Sequence, residues 1–366
     1  MKEKVRVLVV DDSALMRKLI PQMLESDGSI EVVGTAMDGH FALRKIQDLL
    51  PQVVTLDLDM PKMNGIETLR EIMKRAPLPV IVVSSLSTEG ALVTMKALAM
   101  GAFDFVTKPK DATAHMAEAS AELIAKVKAA ADCKLKPRLV EGISVKSPKP
   151  VVNAWSQPTH VVAIGVSTGG PQALEYLMPQ LAPEFPAAIL VVQHMPEGFT
   201  EMFARRLDEL CALSVKEAKS GDPLLAGQVL ICPGNRHMKV KRLSMGDVVV
   251  LSDDERVNGH RPSADVLLRS VAEEFRSHAI GVLMTGMGDD GAEGLGEIKR
   301  LGGVTLAQNE ESSVVFGMPK AAIERGYANR IVSLEGMAAA LQSVCTGGDG
   351  PGRRDRSKAA GRASGW

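Results

Sequence analysis

The 366-residue chain is poor in aromatic residues: 8 Phe, 2 Trp and 2 Tyr make up 3% of it. Its cores must therefore be filled by Val, Leu, Ile, Ala and Met, within a hydrophobic fraction of 45% that is enough for two or three domains. A charge bias is also missing. Lys and Arg number 43 against 44 Asp and Glu, a net charge of −1, which gives no electrostatic argument for nucleic acid or an anionic membrane surface. No apolar run nears the length of a membrane span, and no signal peptide is recognisable. The four cysteines, Cys133, Cys211, Cys232 and Cys345, are far apart and form no metal-ligand pair. They read as reduced thiols of a cytoplasmic protein.

What is present is concentrated in short stretches, the central one being Val161–Pro171, VVAIGVSTGGP. Val161–Gly165 is too short and too β-branched for a helix and reads as a buried strand. Gly169, Gly170 and Pro171 allow a tight turn and begin a helix, proline suiting the first helical position, and Gln172–Met178 carries a helical pattern. Ser167 is thereby placed at the carboxyl end of a strand, beside a helix N-terminus whose N–H groups favour a developing anion. Gly165-Val166-Ser167-Thr168-Gly169 also fits the G-x-S-x-G pattern of a nucleophile elbow, although a serine-rich turn without chemistry satisfies the same letters.

The first 125 residues alternate strand and helix patterns. Strands are expected at Val5–Val10, around Val32–Gly34, and at Val53–Leu56, Pro79–Val83 and Phe103–Thr107. Ser13 is expected to cap a helix through Leu24, and further helices are expected over Gly65–Lys74 and Gly90–Met100. Strict alternation argues a doubly wound parallel sheet, in which ligands bind at the carboxyl ends of the strands. Asp11, Asp12, Asp57, Ser84 and Lys108 all fall at such ends. Three converging carboxylates repel one another without a cation, and Mg²⁺ suits oxygen ligands and phosphate. A carboxylate can accept a phosphoryl group, which a hydroxyl and an ammonium can then hold. Singly, each residue would be a cap or a turn; together they make a site.

Through VVDDS, LDLDMPKMNG, VVSS and DFVTKP, in that order, this segment resembles a response-regulator receiver domain. The resemblance implies a flavodoxin-like fold with Asp57 as the phosphorylation site. It implies Asp11, Asp12 and Asp57 as Mg²⁺ ligands with Asp59 nearby, Ser84 as the switch hydroxyl where Thr is frequent, Lys108 as the phosphoryl contact, and a cis Lys108–Pro109 bond. Ala114–Ala131 should close the domain as a helix. The receiver is placed at 1–125 and a linker at 126–158, where Pro137, Pro148, Pro150 and Pro158 break regular structure and several lysines make the stretch basic.

From His160 the alternation resumes. Ala187–Val192 runs into Gln193-His194-Met195-Pro196, and Ala279–Met284 into Thr285-Gly286-Met287-Gly288-Asp289-Asp290-Gly291. Ser167, His194 and Asp290 each lie just past a strand. A parallel sheet would project all three into one crevice as nucleophile, base and orienting acid of a hydrolase. Their order differs from the Ser…Asp…His of α/β-hydrolases. Thr200–Leu210 and Ser263–Arg276 read as helices, Val229–Pro233 and Val248–Leu251 as strands of a hairpin-rich edge, and His237 and His260 as structural residues. Residues 346–366, Gly-rich and basic, read as a disordered tail.

The motifs GVSTGGP (165–171), QHMP (193–196), FT..FARRL (199–207), GHRPSADVL (259–267), TGMGDDGA (285–292) and SSVVFGMPKAA (312–322) resemble the catalytic domain of the chemotaxis protein-glutamate methylesterases, many of which also deamidate glutamine. The resemblance implies a parallel-sheet, Rossmann-like α/β hydrolase domain at 159–345. In it Ser167 is the nucleophile, His194 the general base and acid, and Asp290 the residue orienting His194. Thr168 is expected to hydrogen-bond near His194, and the Met287 N–H to serve the oxyanion. Asp289 stands where relatives often have Asn, and its charge is expected to raise the basicity of His194. The resemblance also implies a chemotaxis histidine kinase as phosphodonor, methylated chemoreceptors as substrate, and no cofactor for ester hydrolysis. Nucleic-acid binding and membrane insertion are not expected. Two other classes compete with this reading: a receiver-regulated adaptor with little esterase activity, and a receiver with a DNA-binding output. The intact Ser167, His194 and Asp290 argue against the first, and the lack of a helix-turn-helix pattern against the second.

Overall fold

The structure is a computed structural model that describes residues 3–108, 116–133 and 157–346. The expected cis Lys108–Pro109 bond, most of the linker and the tail lie outside the described residues. In the first domain, strands β1 (Val5–Val10), β2 (Ile30–Ala36), β3 (Val53–Asp57), β4 (Val80–Ser84) and β5 (Asp104–Thr107) alternate with helices α1 (Met16–Glu25), α2 (Gly39–Leu49), α3 (Gly65–Arg75), α4 (Thr88–Ala99) and α5 (Met116–Asp132). The strands form one parallel sheet in the order β2-β1-β3-β4-β5, the flavodoxin-like order. β3 and β4 are buried along their whole length, as strands covered by helices on both faces require.

Two boundaries differ from expectation. α1 begins at Met16, two residues later than a Ser13 cap would place it, although Ser13 Oγ still accepts from the Met16 N–H at 3.5 Å. The Ser13 carbonyl still accepts from the Arg17 N–H at 3.0 Å. α5 also runs on to Asp132, past the expected domain end at 125. Alanines carry it there and bury Val127 and Ala130 against the sheet.

The second domain contains β6 (His160–Val166), α6 (Gly170–Leu177), β7 (Ala187–Gln193), α7 (Phe199–Leu210), β8 (Ser214–Glu217), β9 (Gln228–Ile231), β10 (His237–Leu243), β11 (Gly246–Ser252), α8 (Ala264–Phe275), β12 (Ala279–Leu283), α9 (Ala292–Arg300), β13 (Val304–Gln308), α10 (Met318–Glu324), β14 (Arg330–Val332) and α11 (Leu334–Cys345). Seven strands form a parallel sheet in the order β14-β13-β12-β6-β7-β9-β8, and β10 and β11 form a separate antiparallel hairpin. The expected edge position of Val229–Pro233 is thus corrected: β9 lies inside the sheet, paired to β7 and β8. Its Val229, Leu230 and Ile231 are buried, which suits a covered parallel strand and not a half-wet hairpin.

The domains share an apolar seam. Phe105 of β5 stacks on Phe199 of α7 with ring centroids 4.8 Å apart and planes 7° from parallel. α4 packs on α6 and α7. Gln172 Nε2 donates to the Ala102 carbonyl at 2.8 Å, and Val314 and Val315 pack against the core of the first domain. Glu118 of α5 pairs with Arg256 at 3.6 Å. Among the described residues no helix is long and apolar enough to cross a membrane.

Candidate active site

β6 lies between β7 and β12. The chain leaves β6 to one side first and returns to its other side later, the reversal of winding at which α/β sheets bind ligands. Ser167, His194 and Asp290 follow these three adjacent strands and come together at their carboxyl ends. The Ser167 N–H donates to the Thr285 carbonyl at 3.0 Å and the His194 N–H to the Val166 carbonyl at 3.1 Å, so both backbones are held by neighbouring strands. The turn after Ser167 needs glycine: Gly169 has φ +76°, and a Cβ there would lie 2.6 Å from Val314.

His194 Nε2 lies 2.9 Å from Asp290 Oδ2. Asp290 is 1% exposed and fully bonded. Ser263 Oγ donates to its Oδ1 at 2.6 Å, Asn258 Nδ2 to the same oxygen at 3.1 Å, and the Ala264 N–H to Oδ2 at 2.6 Å. Ala264 opens α8, whose N-terminal dipole adds to the attraction. Burial alone would raise the Asp290 pKa, but the bonds from His194, Ser263 and Ala264 outweigh it and hold the carboxyl well below the usual range. An ionised Asp290 makes Nε2 the protonated ring atom. His194 Nδ1, buried and without a hydrogen-bond partner, is left with its lone pair free. His260 stacks on His194 with centroids 4.0 Å apart and planes 10° from parallel. Burial, and next the neighbouring His194, push His260 down to about 4, so it is a neutral ring at pH 7.

Two expected details do not appear. Thr168 makes no bond to the His194 ring, whose Nε2 is held by Asp290 and whose Nδ1 has no partner; its carbonyl accepts from Thr285 Oγ1 at 2.9 Å. Asp289 is exposed and turned to Arg325 at 2.6 Å, a guanidinium it shares with Glu293 at 3.1 Å, and not to His194. Met287 sits in the loop Gly286–Gly288, anchored where Gly286 accepts from the Gly317 and Met318 N–H groups at 3.0 Å each. The Met287 N–H has no acceptor among the described residues.

In the first domain, ligand oxygens of Asp11, Asp12 and Asp57 lie within 4.8 Å of one another. Lys108 Nζ pairs with Asp57 Oδ2 at 2.8 Å and Asp11 Oδ2 at 3.1 Å. One ammonium faces three carboxylates. Burial lifts the Asp57 pKa above the usual carboxylate range, Lys108 offsets only part of this, and Asp11 adds to it. The Asp59 N–H reaches Asp57 Oδ1 at 3.4 Å. This all-oxygen, charge-rich set fits a hard divalent cation. The Ser84 hydroxyl is turned away from Asp57: it accepts from Thr94 Oγ1 at 2.7 Å and donates toward the Gly90 carbonyl at 3.3 Å, both on α4.

A family model described as CheB methylesterase matches residues 162–341, and one described as response regulator receiver domain matches residues 7–119. The chain is 58% identical over 341 residues to protein-glutamate methylesterase/protein-glutamine glutaminase 2 of Koribacter versatilis, covering 91% of this chain and 94% of that one. The chain belongs to the CheB methylesterase family. A member from Pyrococcus horikoshii, named protein-glutamate methylesterase/protein-glutamine glutaminase, is 46% identical over 340 residues, 92% of each chain. Among solved structures, the catalytic domain of the Thermotoga maritima CheB methylesterase is 42% identical with a TM-score of 0.50, over 50% of this chain and 98% of that one.

Sequence reasoning did not place Asn258 and Ser263 on Asp290, nor His260, read as structural, against the His194 ring. His260 and Ser263 lie within GHRPSADVL and Asn258 just before it, but nothing in the letters says that this loop folds back onto the Asp290 loop. His237, by contrast, is structural as read; it bonds the Glu255 carbonyl and the Ser263 N–H. Asp290→Asn should lower ester hydrolysis while leaving one to two decades more activity than removal of the nucleophile, as orienting acids do. The comparison of kcat between the two variants checks this.

Proposed function

We propose that the chain is a phosphorylation-regulated protein-glutamate methylesterase that hydrolyses glutamyl methyl esters on chemoreceptors during chemotaxis adaptation. The observation that carries the reading is His194, fixed through Nε2 by a buried, ionised Asp290 and offering a free Nδ1 beside the Ser167 turn. In this reading Nδ1 takes the Ser167 proton as Oγ attacks the ester carbonyl. Backbone N–H groups, Met287 among them, hold the oxyanion. His194 then protonates the departing methanol, and water activated by the same nitrogen hydrolyses the acyl-enzyme. Asp290 stabilises the imidazolium without taking its proton. Glutamine follows the same route with ammonia leaving, in keeping with the glutaminase named in the relatives. Thr168 contributes backbone to the nucleophile turn and does not serve as a second base.

The receiver takes its phosphoryl group on Asp57 from a chemotaxis histidine kinase in the cytoplasm, with Asp11, Asp12 and Asp57 holding Mg²⁺ and Lys108 contacting the phosphoryl oxygens. Bound there, the cation offsets the charge of the transferring group. Ser84 must leave Thr94 and Gly90 to reach the phosphoryl group, which couples Asp57 to α4 and to the seam with α6 and α7. Residues up to Asp132 form the receiver, the stretch to 158 links the domains, and 159–345 form the esterase. The direct test is methanol release from methylated receptor, with and without a small phosphodonor and Mg²⁺. Asp57→Asn should abolish the rise caused by the phosphodonor and keep the basal rate. A rise that survives in Asp57→Asn would place the phosphorylation site elsewhere.

A further inference from the structure

Gln193 ends β7 and is 2% exposed. Its Nε2 donates to the Ser167 carbonyl at 3.0 Å and to the His194 carbonyl at 3.2 Å. Both amide hydrogens are used on carbonyl oxygens, which fixes the orientation of the amide: a flipped group would set Oε1 against two acceptors. Oε1 points the other way, buried and without a hydrogen-bond partner. It lies against Gly170, where a Cβ would come within 2.1 Å of it. A buried amide oxygen left unpartnered is unfavourable. Simple filling of this space would be better served by an apolar side chain, so the position is explained by what the NH₂ end does.

We propose that Gln193 is a positioning residue of the hydrolase site. One side chain ties the backbone of Ser167 to the backbone of His194, and so sets the separation between Ser167 Oγ and His194 Nδ1. Backbone bonds hold the strand ends, the His194 N–H on the Val166 carbonyl at 3.1 Å among them, but the two turns that follow each carry a left-handed glycine, Gly169 and Gly198, and the Gln193 amide adds a direct bond to the Ser167 carbonyl itself. Gly170 leaves the amide its room, since a Cβ there would meet Oε1 at 2.1 Å and Val166 Cγ2 at 2.6 Å. Gln193 touches neither substrate nor reacting atoms, so its removal should cost rate and not binding. This inference rests on the Ser167–His194–Asp290 reading above.

The test is steady-state methanol release by the full chain, with phosphodonor and Mg²⁺ present. Gln193→Met keeps the length and removes both donors. It should lower kcat by about 10²-fold, the usual effect of a misplacement near 1 Å, with KM within about twofold. Gln193→Glu, of the same shape, should show the same split, which guards against a packing defect peculiar to Met. A folded Gln193→Met or Gln193→Glu with wild-type kcat, or a loss that lies in KM, overturns the inference. Ser167→Ala run alongside keeps the two ideas apart. If it is inactive while Gln193→Met is fully active, only the positioning role fails; if it is active, the Ser-His-Asp reading fails with it.

Discussion

Ser167→Ala should release methanol from a methylated receptor at least about 10³-fold more slowly than the wild type, with its thermal transition unchanged. The size follows from the loss of the attacking atom; what remains is binding and oxyanion stabilisation by backbone groups, which the substitution leaves in place. The unchanged fold follows from the contacts. Ser167 Oγ makes no hydrogen bond among the described residues, and the turn is held by backbone bonds to Thr285 and Gly170. A methyl in place of such a hydroxyl is close to neutral for stability. His194→Ala should be as damaging to rate. Near-normal methanol release from a folded Ser167→Ala protein would end the assignment of the nucleophile.

A chain starting near residue 150 should hydrolyse the receptor ester tenfold or more faster than the unphosphorylated full-length protein, and should need no phosphodonor. The receiver touches segments on every side of the crevice: α6 just after Ser167, α7 just after His194, the Val314–Val315 loop that packs on the Ser167 turn, and Arg256 in the loop leading to His260. On the blockade reading, that placement limits the access of a protein substrate to Ser167. Each 1.4 kcal/mol of docking energy suppresses the open state tenfold. The Phe105–Phe199 stack alone is worth about 0.5–1.5 kcal/mol beyond the area it buries. Phe105→Ala in the full chain should therefore raise the basal rate by roughly twofold to tenfold from the stack alone. The exposed Glu118–Arg256 pair should matter far less. A truncated chain no faster than the unphosphorylated full-length protein would exclude blockade and require the receiver to act by activation or by docking to the receptor.

Much of this was readable from the letters because parallel strands announce themselves. VRVLVV, VVTLD, VIVVS, AAILVVQ and AIGVL are mostly apolar, and the polar residues that end or closely follow them stand out. The Asp11–Asp57–Lys108 and Ser167–His194–Asp290 groupings followed from that single regularity. The rest was hidden for equally physical reasons. β10 reads HMKVKRL and β8 reads SVKE, alternating strands on wet faces whose pattern is weak over so few residues. β14 has three residues. Val229–Ile231 could be assigned to a strand but not to a place in the sheet, since order is a long-range property. Gln193 and His260 lie inside QHMP and GHRPSADVL, but their contacts, like those of Asn258, join segments distant in sequence, and the motifs do not say which. Asp289 shows the opposite failure: its charge was visible, but the Arg325 it turns to lies 36 residues away.

The 96 residues that separate His194 from Asp290 also bear on how the protein is born. A ribosome delivers the receiver first, at about 5–20 residues per second, and domains generally fold as units in the order they emerge. The parallel pairing that brings β12 beside β6 is non-local and correspondingly slow. The nascent chain therefore carries its folded cover for many seconds before the acid that completes the site has been made. On the blockade reading, a freshly synthesised molecule is restrained from the start, and the first phosphoryl transfer it receives is also its first release.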